Sequence, residues 1–115
     1  MIKRMDKKIK ARWLKALRGQ RYLQGTGGLR FGNSFCCLGV LCDLHSKETF
    51  LGWDYNADTG LYSYLGETVM LPQSVCKWAG IGNPNPPVLK VALSTHNDTK
   101  KLSFVRIGKL IERHL

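Results

Sequence analysis

Acidic side chains are scarce in this sequence: 8 Asp and Glu stand against 18 Lys and Arg, a net charge of +10. The deficit is local. Residues 1–30 hold ten basic side chains and one acid, Asp6, whereas residues 31–115 hold eight basic and seven acidic ones. A nearly neutral body therefore carries a strongly basic first quarter, which disfavours basic partners and selects polyanionic or acidic ones. Long apolar runs are missing too. None approaches the roughly 18 residues of a membrane span, so no membrane partner is expected. The N-terminus is charged through Lys15 and lacks an apolar segment of signal-peptide length, which predicts a cytoplasmic protein. The four cysteines form no Cys-x-x-Cys pair. In a reducing compartment that spacing predicts thiols rather than disulfides, with no metal and no cofactor called for.

One stretch is apolar on every side: Ser34-Phe35-Cys36-Cys37-Leu38-Gly39-Val40-Leu41-Cys42-Asp43-Leu44. A helix without a wet face has to be enclosed by protein, so residues 34–46 are read as the buried axis of the fold. Ser34 is the expected N-cap. Gly39 costs about 1 kcal/mol inside a helix, which points to close approach of another backbone. Asp43, towards the end of such a helix, needs a partner.

The rest of the chain is arranged around that rod. Residues 1–18 read as a basic amphipathic helix, with Ile9, Trp13 and Leu17 on the docking stripe and Lys7, Lys10 and Arg18 on the wet side. Residues 19–33 are a glycine-rich connector carrying Arg21, Tyr22 and Arg30, suited to holding an anion on its backbone amides. Residues 49–71 read as a small antiparallel sheet with an aromatic face that includes Trp53 and Tyr62. That face also offers a homodimer seam. Pro72 opens a short helix over 72–79 that Gly80 ends. Ser103 caps a C-terminal helix over 103–115, and Asn97-Asp98 reads as a turn. The fold class is thus α+β: a single compact domain with a buried central helix, terminal helices packed on it and a small antiparallel sheet.

The cysteines admit two readings. Cys36 or Cys37, in the first turn of the central helix, would have a lowered thiol pKa, with His96 as base and Asn97 or Asp98 orienting it. A cysteine hydrolase is therefore the enzyme alternative. Adjacent cysteines followed by apolar residues are equally explained by packing, since a buried thiol behaves as a small hydrophobe. That reading makes the protein non-enzymatic.

The ordered set Trp13…Ala16-Leu17-Arg18-Gly19…Tyr22…Gln24-Gly25, then Cys36-Cys37-Leu38-Gly39-Val40-Leu41-Cys42-Asp43, and finally Asn97-Asp98…Ser103-Phe104…Ile107…Ile111-Glu112 resembles small phage- and prophage-encoded accessory proteins. The resemblance implies an origin in a phage, a place in the host cytoplasm, and action by binding and neutralising a host component, as an anti-defence inhibitor does. Combined with the charge, it makes the partner a host protein complex or an anionic ligand, nucleic acid or nucleotide. The contacts expected are Lys7, Lys10, Arg18, Arg21, Tyr22 and Arg30, with Trp53 or Tyr62 for stacking. A general nucleic-acid binder using the basic N-terminal helix is the alternative.

Overall fold

The computed structural model describes residues 4–115. Its centre is helix α2 (Cys37–Thr49), whose first six residues, Cys37 to Cys42, are all buried. No polar side is left on that half, so every neighbouring element is laid against it. Helix α1 (Lys7–Arg18) crosses it with Ile9, Trp13, Leu14 and Leu17 inward. Burying side chains of this size contributes about 1.5–3 kcal/mol each. Trp13 is wholly buried, and its indole N–H donates to the Cys37 carbonyl at 3.0 Å, so the ring is both packed and satisfied. Asp6 caps α1 by accepting from the Ile9 amide at 2.9 Å. The helix expected over 1–18 thus starts later than its apolar stripe suggested; residues 1–3 of that span lie outside those described.

Gly39 lets another backbone pass close to α2. The connector passes over α2 at Leu29, and the Leu29 carbonyl accepts from the Cys36 amide at 3.2 Å. A Cβ on Gly39 would lie 1.8 Å from that same oxygen.

Ser34 is not the cap of α2. Ser34 and Phe35 form a strand, and the helix begins at Cys37 with Cys36 as N-cap, its Sγ accepting from the Gly39 amide at 3.4 Å. The reason is a competing use of the backbone: extended Ser34–Phe35 pairs with two other segments. The sheet is larger and earlier than 49–71. Strands β1 (Leu23–Gln24), β2 (Arg30–Phe31), β3 (Ser34–Phe35), β4 (Asp54–Asn56) and β5 (Leu61–Ser63) form one sheet in the order β1-β3-β2-β5-β4. The β1–β3 pair is parallel and the others antiparallel. The glycine-rich connector is therefore half sheet. Residues 67–71 form no strand; Glu67 makes only an isolated bridge to Tyr64.

Helix α3 (Gln73–Ala79) ends at Gly80, as expected, in the left-handed conformation. A two-strand hairpin follows, β6 (Pro87–Val88) with β7 (Val91–Ala92), leading directly into α4 (Leu93–Asp98). Asn97-Asp98 accordingly ends a short helix rather than making a free turn. Helix α5 (Phe104–His114) is capped by Ser103 and packs on α1 and α4, with Gly108 facing Leu14 and Leu17.

Candidate functional site: a cationic groove and an aromatic–arginine cluster

Helix α1 stops at Gly19, whose amide bonds back to Lys15 O at 2.9 Å. The chain then turns over the last two turns of α1 and runs beside α2 into β1. This leaves a groove of about 410 Å³ lined by Arg12, Lys15, Ala16, Gly19, Gln20, Arg21, Tyr22, Leu44 and Lys47. Its charged lining is four cations and no carboxylate. Two of the four are partly neutralised from outside: Arg12 pairs with Glu48 at 2.9 Å and Lys47 with Asp43 at 3.5 Å. Lys15 and Arg21 have no acidic partner among the described residues. Ala16, Leu44 and the Tyr22 ring supply the apolar part.

Asp43 ties the groove to the sheet. Its side chain is only 14% exposed, and it accepts from the Tyr22 hydroxyl at 2.6 Å and the Trp53 indole at 3.0 Å, with Lys47 beside it. A buried carboxylate held by two neutral donors and one cation is satisfied on all sides. Burial first, and then the hydrogen bond to this carboxylate, push the Tyr22 phenol well above its ordinary value of 10.0. Tyr22 therefore stays protonated and donating at physiological pH.

Beyond Tyr22 the sheet register sets up a row. Gln24, Phe35, Arg30, Tyr62 and Tyr55 are cross-strand neighbours on one face. Tyr22 meets Phe35 edge-on at 5.1 Å. The Arg30 guanidinium lies 5.1 Å from the Phe35 ring, 5.5 Å from Trp53 and 3.9 Å from Tyr62. Tyr62 in turn meets Tyr55 at 4.9 Å.

Five of the eight residues expected to bind come together. Arg21 and Tyr22 line the groove, and Tyr22, Arg30, Trp53 and Tyr62 form one cluster next to it. Lys10 and Arg18 lie elsewhere: Lys10 donates to the Glu112 carbonyl at 3.0 Å and Arg18 pairs with the Glu112 carboxylate at 2.9 Å, fastening α1 to α5. Lys7 is exposed on the first turn of α1 and does not line the groove. Arg12, Lys15 and Lys47 were missed as groove residues. The i, i+3 spacing of Arg12 and Lys15 on one flank of α1 was the available signal.

The thiol chemistry finds no support in the geometry. Cys36 is 2% exposed and its sulfur is occupied as a helix cap; burial pushes its thiol up to about 11. Cys37 is wholly buried, with its thiol also pushed up by burial and its Sγ 3.8 Å from the Leu93 carbonyl. His96 meets the Val88 carbonyl through Nε2 at 2.9 Å, and its Nδ1 has no hydrogen-bond partner. Asn97 does not orient an imidazole. Its Nδ2 donates to Gly25 O at 2.8 Å and to Asp98 at 2.7 Å, while its Oδ1 accepts from Gln24 at 2.9 Å. Asn97 and Asp98 therefore clasp the 24–27 segment. Among the described residues no group of three or more His, Cys, Asp or Glu is arranged to hold a metal. No helix of the described residues is long and apolar enough to cross a membrane.

Fold and site together define a small α+β protein with a one-sided cationic groove beside an aromatic sheet face. The chain belongs to the family described as a domain of unknown function, DUF8296, whose model matches residues 5–115. No curated protein and no solved structure matches it.

Proposed function

We propose that this chain is a non-enzymatic binding protein that neutralises an anionic or acidic partner by seating it in the groove between α1 and α2. The observation that carries the reading is the lining itself: Lys15 and Arg21 face the groove without an acidic partner, beside Arg12 and Lys47. Unpaired cations crowded on one concave surface repel one another and gain most when a polyanion joins them. The likeness of the Cys36–Asp43 block to phage accessory proteins supports a role against a host component, in the manner of an anti-defence inhibitor acting in the host cytoplasm. Raised thiol pKa values and buried sulfurs argue against nucleophilic work by Cys36 or Cys37.

The test is charge reversal at Lys15→Glu with Arg21→Glu, two exposed positions outside the core. The pair is expected to elute from a heparin column at markedly lower salt than the unaltered chain. It is also expected to lose whatever acidic partner the unaltered chain retains when purified from host cells. Elution of both proteins at the same salt would sink the reading.

A further inference from the structure

The groove does not end at Tyr22. From it runs a continuous chain of cation and ring: Lys47 Nζ 5.3 Å from the Tyr22 ring, then Phe35, Arg30, Tyr62 and Tyr55, each within 5.1 Å of the last. We infer that this stripe is a track for single-stranded nucleic acid, with backbone phosphates held in the cationic groove and bases stacking along Arg30, Tyr62 and Tyr55. The inference rests on the anion-binding role of the groove and names the class of ligand it takes.

Three features of the stripe favour that ligand. Arg30 is half-buried and its side chain forms no ion pair among the described residues; its guanidinium donates from Nε to the Gly32 carbonyl at 2.9 Å. A guanidinium 3.9 Å from the centre of the Tyr62 ring sits over that ring, and such a group can stack on a base and donate its N–H groups to a phosphate. Tyr55, at the sheet edge, is 58% exposed while its ring rests on Tyr62. Strand alternation places Asp54 and Asn56 on the opposite face, so the neighbouring acid does not oppose a phosphate there. From Phe35 to Tyr55 the row crosses four strands, about 14 Å at the usual interstrand spacing, which is longer than one nucleotide. Duplex bases are already stacked on each other and leave such rings unused; single strands use both rings and cations. An acidic polypeptide without rings satisfies the cations but leaves the row of aromatic faces without a stacking partner.

The experiment is fluorescence anisotropy at low salt with labelled dT12, with a DNA hairpin of similar phosphate number and with polyglutamate. The unaltered chain is expected to bind dT12 more tightly than either of the others. Tyr55→Leu keeps bulk against Tyr62 and removes the ring; it is expected to weaken dT12 about ten-fold and leave polyglutamate unchanged. Arg30→Lys keeps the charge and is expected to weaken dT12 as well. Equal affinity for dT12 and hairpin, or for dT12 and polyglutamate, overturns the track while the groove reading stands. So does an unchanged dT12 affinity in both variants. If no polyanion binds the unaltered chain, track and groove fall together.

Discussion

Among the glycines Gly39 has the least room, and its constraint is on volume rather than on backbone angle. Its missing Cβ is what lets the Leu29 carbonyl reach across α2 to the Cys36 amide. Gly39→Ala should destabilise the fold by about 3 kcal/mol or more, since backbone, not a flexible side chain, would have to move. A lowered urea midpoint with an unchanged slope would register it. His45 is constrained by polarity. It is 5% exposed, its Nδ1 lies 2.6 Å from the Tyr64 hydroxyl, and burial lowers its pKa from 6.5 against an opposing pull from Glu48. Between the lowered folded value and 6.5 the unfolded chain holds more protons than the folded one. Stability is therefore fully present above 6.5 and declines as pH drops through the folded value. Thermal unfolding followed across this window should show the decline, and His45→Gln should flatten it. An equal slope in the variant would place the titrating group elsewhere.

At the scale of elements, the β6–β7 hairpin turns on Leu89 and Lys90, whose φ values are 54° and 64°. A two-residue hairpin turn with both φ positive is the kind that asparagine and glycine favour, yet here a leucine and a lysine occupy it, with Leu89 61% exposed. Leu89→Asn with Lys90→Gly should stabilise the protein by about 1 kcal/mol and raise Tm by several degrees, because nothing is lost from the core. This hairpin also shows why some elements could be read from sequence and others not. The spans of α3 and α5 followed from local signals, Pro72 with Gly80 and Ser103, and the Trp13–Leu17 stripe gave the existence and the end of α1 but not its start. Of the five-stranded sheet, the antiparallel β4–β5 pair falls within the span expected over 49–71, but the other three strands had no such signal. Three of its strands are two residues long, and pairings such as Arg30↔Phe35 and Phe31↔Leu61 are set by tertiary contact, not by alternation. Ser34 was misread as a cap for the same reason, since its extended backbone was claimed by β1 and β2. The groove was half legible. Arg21 and Tyr22 lie in the basic connector, but Lys47 joins them only because α1 docks across α2, a fact of packing that no local spacing encodes.

The whole molecule distributes its charge unevenly, and that distribution ties stability to binding. The ion pairs among the described residues are Arg12–Glu48, Arg18–Glu112 and Lys47–Asp43. Two of them clamp α1 to its neighbours, and none reaches Lys15 or Arg21. With +10 over 115 residues, the groove cations repel each other in the folded state more than in an expanded chain. Screening should relieve this, because the Debye length shrinks from about 10 Å at 0.1 M salt to about 3 Å at 1 M. Thermal stability should therefore rise with added NaCl. Lys15→Gln with Arg21→Gln should raise stability at low salt by about 0.5 kcal/mol, and the two proteins should converge at high salt. The same double variant should bind polyanions more weakly, so that stability and affinity move in opposite directions. A variant less stable than the parent at low salt would mean that Lys15 and Arg21 hold the fold together. The cationic groove would then be a by-product of packing rather than a site kept at a cost.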